Sequence, residues 1–172
     1  LPDFPTEREK LAAELLFYYA EKLCGQSLKR ESDGGNRVII GDPSRNPFAQ
    51  VLISIDEFEN EVPGPEGFII LSKGNNLLLA GSSKDSDERE RGTLYALYEL
   101  LEQVFGCSLC AYSGGAFNAG EYIASKAELC VPEMKYVKPA ADVLYRCAIV
   151  QYSVWAGNAT HPLNEKFISW LS

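Results

Sequence analysis

Two aliphatic runs, Gly67–Leu71 (GFIIL) and Asn76–Ala80 (NLLLA), are separated only by Ser72-Lys73-Gly74-Asn75. Runs this short, bounded by turn residues, read as the arms of a β-hairpin, with Gly74 free to take a positive φ. Neither arm alternates strictly between apolar and polar residues, so neither shows a solvent face. A hairpin of this kind fits a sheet with cover on both faces, which points to a mixed α/β architecture.

Two helical stripes are available as cover. Thr6-Glu7-Arg8-Glu9 is a capping-box pattern, and Leu11, Ala12, Leu15, Leu16, Tyr19 and Leu23 follow at helical spacing. Gly25 stands where a C-cap glycine belongs. A second stripe, Leu94, Leu97, Tyr98, Leu101 and Phe105, opens at Gly92-Thr93, with Thr93 as the expected N-cap, and ends at Gly106.

Between the helices, Arg37–Gly41 and Gln50–Ile55 (QVLISI) read as strands, joined by the proline-containing connection 42–49. The acidic stretch Asp56–Pro65 reads as a loop, as does the polar stretch Gly81–Arg91. Beyond the second helix, Cys107–Tyr112, Glu128–Val131 and Met134–Val137 are expected to be short strands. Pro139–Asp142 reads as a linker, Val143–Gln151 as a buried strand, and the residues from Pro162 onward as a helix. The expected fold is therefore α/β, an α+β two-layer arrangement of a small mixed sheet with two main helices on one face. A strand–helix unit that resembles the opening of another domain follows it. This division gives an accessory domain over 1–138 and a second unit over 139–172.

Charge and composition narrow the function. Sixteen Lys and Arg against 24 Asp and Glu leave a net charge of −8, the wrong sign for a nucleic-acid partner, which needs clustered positive charge. No apolar run approaches the roughly 18 residues of a membrane span. The single histidine, His161, rules out HExxH and multi-histidine zinc sites. No GxGxxG or Walker loop is present, and no cofactor is expected.

The cysteines are Cys24, Cys107, Cys110, Cys130 and Cys147. The CxxC spacing of Cys107 and Cys110 admits a redox pair or half a zinc site, but no second CxxC or nearby histidine completes a tetrad. Buried thiols acting as small hydrophobes are the plainer reading. Carboxylates fall at helix starts, in loops and along helices, positions that read as solvated. No pair stands out for glycoside hydrolysis. Asn158-Ala159-Thr160 matches a glycosylation sequon.

Arg146, inside an apolar strand pattern, is the one singled-out charge. It either pairs with an acid or lies at a strand end, or it points into a site to hold a substrate hydroxyl or carboxylate. Trp155, with Tyr152 and Tyr112, offers rings that could stack on sugars or pack in a core.

The string Gly92-Thr93-Leu94-Tyr95-Ala96-Leu97-Tyr98-Glu99-Leu100-Leu101-Glu102, followed by Phe105-Gly106-Cys107, resembles a segment of certain glycoside hydrolases. It lies in the small N-terminal domain before the catalytic barrel of α-glucuronidases of glycoside hydrolase family 67. The N-terminal domain of β-N-acetylhexosaminidases is a more distant likeness. Leu23–Leu28, Gly67–Ile70, Leu77–Gly81, Gly120–Ile123, Val131-Pro132 and Pro139 through Arg146 follow in the family's order. The chain departs from the pattern at Ala140-Ala141, where an aromatic is usual, and lacks the tryptophan that follows the second helix.

The resemblance implies a sandwich domain ahead of a (β/α)8 barrel, with Val143–Gln151 as the first barrel strand and the catalytic residues on later strands outside this chain. It implies that carbohydrate is the partner, met through that barrel, with Arg146 and Trp155 as substrate-binding candidates. The start at Leu1 and the uncapped apolar pattern of Phe167, Ile168, Trp170 and Leu171 add the expectation of an exported protein of which this is a piece. Two other classes stay open: a self-contained glycan-binding module and an interaction domain.

Overall fold

The computed structural model describes residues 1–25, 27–29, 35–62, 64, 66–82, 91–109 and 121–139. Its elements run α1 (Glu7–Cys24), β1 (Arg37–Ile40), α2 (Pro47–Gln50), α3 (Ile55–Glu61), β2 (Phe68–Lys73) and β3 (Asn76–Gly81). They continue with α4 (Gly92–Gln103), β4 (Ser108–Leu109), β5 (Glu121–Tyr122) and β6 (Met134–Lys138).

The hairpin is the centre of a four-stranded mixed sheet of order β1-β3-β2-β6, in which only the β1–β3 pair is parallel. Gly74 turns the hairpin at φ 56°. β4 and β5 form a separate antiparallel pair.

The period-two alternation of strand side chains sorts the sheet residues into two sets. Ile40, Phe68, Ile70, Leu77 and Leu79 face α1 and α4, and make the larger core with Leu15, Leu16, Tyr19, Leu94, Leu97 and Leu101. Ile39, Ile69, Leu78 and Ala80 point the other way and meet Ala49, Ile53, Phe58 and Val62. The unalternating arms are thus buried on both sides, as their composition requires. The two main helices do share one face. The architecture is a three-layer one, however, because α2, α3 and the turn between them cover the second face.

That second cover corrects two expectations. Gln50–Ile55 is not a strand, and Asp56–Glu61 is not a loop. Asn46 caps α2 by accepting from the Phe48 N–H at 3.1 Å, with Pro47 at the first helical position. Ser54 caps α3 by accepting from the Glu57 N–H at 3.2 Å. Ala49 and Ile53, and likewise Phe58 and Val62, lie four residues apart and are all buried, whereas Val51, inside the supposed strand, is 83% exposed.

α1 begins and ends as its sequence indicates. Thr6 and Glu9 complete the capping box, and Gly25 closes the helix in the left-handed region at φ 68°. α4 departs at its start. Arg91 occupies the N-cap position without a side-chain cap bond, and Thr93 lies inside the helix. The Thr93 hydroxyl instead accepts from the Gly81 N–H at 2.9 Å, joining the end of β3 to the first turn of α4. The junction is so close that a Cβ on Gly92 would run into the Gly67 carbonyl oxygen.

Glu128–Val131 is not a strand. Leu129 and Val131 pack partly buried against the larger core, beneath a chain that donates from the Lys126 N–H to the Leu23 carbonyl at 2.8 Å. Of Cys107–Tyr112, Ser108–Leu109 is strand and residues 110–112 lie outside the described residues. The linker from residue 140, the expected strand Val143–Gln151 and the expected helix beyond Pro162 also lie outside them.

Candidate functional site

In an open α/β sheet, ligands are taken in the crevice beyond the carboxyl ends of parallel strands, where successive connections leave for opposite faces. This fold has one such place among its described residues. The chain leaves β1 for α2 and α3 on one face, and leaves β3 for α4 on the other.

Protein atoms crowd the glycine at each of these strand ends. At the end of β1, Gly41 takes φ 117°, a backbone region that side-chain-bearing residues rarely enter. A Cβ at this position would lie 2.7 Å from Glu9 Oε1 and 3.1 Å from Pro2 Cδ. At the end of β3, a Cβ on Gly81 would collide with the backbone of Gly92 and Thr93.

The charged centre of this region is Glu9, whose side chain is only 2% exposed. One carboxylate oxygen, Oε2, accepts from the Thr6 N–H at 2.7 Å, and the other, Oε1, accepts from Arg45 Nη2 at 2.7 Å. Arg45 Nη1 also donates to the Phe4 carbonyl at 3.1 Å. The β1–α2 connection carries Arg45 on a braced turn. Asp42 Oδ1 accepts from the Ser44 N–H at 2.7 Å, Asn46 Nδ2 donates to the Ile40 carbonyl at 3.0 Å, and Gln50 Nε2 donates to the Pro43 carbonyl at 2.7 Å.

A buried carboxylate is costly unless paired and hydrogen-bonded, and Glu9 has both kinds of partner. The arrangement clamps the N-terminal segment onto the end of β1. Both carboxylate oxygens are thus engaged within the chain.

Other acids are committed in the same manner. Lys135 on β6 donates to Glu57 Oε1 at 2.9 Å and Glu61 Oε1 at 2.7 Å, tying the sheet to α3. The hydrogen bond to Glu61, followed by that to Glu57, raises the Lys135 pKa above its ordinary value. Tyr136 donates its hydroxyl to Glu99 Oε1 at 2.8 Å, while Lys138 lies 3.3 Å from Glu99 Oε2. Burial, then the hydrogen bond to Glu99, pushes the Tyr136 pKa up.

By sequence position, at a helix start and along a helix, Glu9 and Glu99 read as solvated. Glu9 is buried and Glu99 is 16% exposed, whereas Glu7, two residues from Glu9, is 87% exposed. The capping box gave a signal for Glu9, since its carboxylate must fold back onto the chain. Nothing local signalled Arg45, which lies 36 positions away.

The residues nominated for substrate contact, Arg146 and Trp155, lie outside the described residues, as do Tyr112, Tyr152, His161, Cys110 and Cys147. Of the remaining cysteines, Cys107 is buried in the larger core, in keeping with a thiol used as a small hydrophobe. Cys24 is half-buried, its Sγ donating to the Ala20 carbonyl, and Cys130 is exposed, which corrects that reading for Cys130. Among the described residues no cluster of three or more His, Cys, Asp or Glu side chains is placed to hold a metal ion, and no helix is long and apolar enough to cross a membrane. No family model matches the chain, and no curated protein matches it.

Proposed function

We propose that this chain is the non-catalytic N-terminal domain of an exported carbohydrate-active enzyme, a glycoside hydrolase acting on plant or host glycans. Carbohydrate is met through a barrel that follows the domain. The observation that carries the accessory role is at the end of β1, where Glu9 and Pro2 close on Gly41 and Arg45 pairs with Glu9, all from within the chain itself. Hydrolysis needs two carboxylates free to act as acid and base or nucleophile. The two most buried glutamates described above are each held by a cation. The parentage is supported by the resemblance of the motif string Gly92–Glu102, which forms α4. Polysaccharide degradation outside the cytoplasm is the setting that the resemblance implies.

The first test is the mass of the native protein in extracts of its source, detected with an antibody against this chain. The expected mass exceeds the chain's 19.0 kDa by at least the ~25–30 kDa of a barrel of about 250 residues. A native mass near that of the chain overturns the proposal, as does robust hydrolysis of any glycoside by the purified chain.

A self-contained glycan-binding module, with Trp155, Tyr152 and Tyr112 as its stacking rings, is the alternative. Calorimetry against a panel of oligosaccharides separates the two readings. Saturable heat at millimolar ligand, together with a native mass matching the chain alone, selects the module.

A further inference from the structure

We draw no further inference here: the strongest candidate, the exposed apolar surface offered by Phe4 in the N-terminal segment and by Phe48 and Val51 at α2, carries nothing because nothing in the structure shows what covers it.

Discussion

The sheet face under α1 and α4 is covered by helices of 18 and 12 residues, and the opposite face by helices of four and seven. Both faces bury aliphatic strand residues equally well, with Ile70 and Leu79 on one side and Ile69 and Leu78 on the other at 1% exposure or less. The difference lies in how the cover is held. A long amphipathic helix supplies its own hydrogen-bonded frame and many apolar contacts. Helices as short as α2 and α3 are not stable alone and depend on their caps and on what they pack against. The comparison teaches that equal burial need not mean equal robustness, and that the short-helix face should be the first to open.

Truncating one central residue on each face tests this. Leu97→Ala, at a fully buried position of α4, is expected to cost about 4 kcal/mol of global stability, read from the denaturant midpoint. Phe58→Ala on α3 removes a larger side chain, yet is expected to cost only about 3 kcal/mol, because α3 can detach locally. Its signature is fast hydrogen exchange at α3 amides while the β2 and β3 amides stay protected. If those strands lose protection together with α3, the two faces form one cooperative unit and the contrast fails.

The clamp at the end of β1 gives the next effect. Arg45→Met leaves the Glu9 carboxylate buried with a single backbone donor. Breaking a fully buried pair costs about 3–5 kcal/mol, and the partial exposure of Arg45 should bring this to about 2. Enhanced proteolysis within residues 1–6 is the accompanying readout. A variant as stable as the parent would mean that Glu9 is solvated in solution.

The smallest effects come from β6. Lys135→Met removes both links to α3, but these pairs are partly exposed, and a loss below about 1 kcal/mol is expected. Phe58→Ala and Lys135→Met should show less than additive loss if both act by releasing α3.

Alkaline titration completes the series. The pKa values of Tyr136 and Lys135 are both raised in the folded chain, so folding favours their protonated forms. That stability is fully present below the ordinary values of 10.0 and 10.5 and is lost as pH rises through the raised ones. Tyr136→Phe should therefore flatten part of the stability decline above about pH 10. An unchanged pH profile would show that the Tyr136–Glu99 hydrogen bond contributes nothing.

The legible parts of the fold share a physical reason. α1, α4 and the β2–β3 hairpin are specified by patterns contained in their own residues: the capping box at Thr6, the stripe from Leu94 to Phe105, and the turn at Gly74. The QVLISI run reads as a strand because its aliphatic content outweighs the signals beside it. Asn46-Pro47 and the Ser54-to-Glu57 capping spacing were present, but over helices so short the apolar period barely repeats.

What the sequence determined by itself was therefore local: that two long helices form, where the first of them starts and ends, and that a hairpin with no polar face needs cover on both sides. The tertiary structure alone decided that α2 and α3 provide the second cover. It also committed the Thr93 hydroxyl to Gly81 rather than to a cap, and brought Arg45 to Glu9. These outcomes depend on groups distant in sequence meeting at strand ends and being taken out of water together. Only then does an unpaired carboxylate or N–H become expensive enough to select one arrangement.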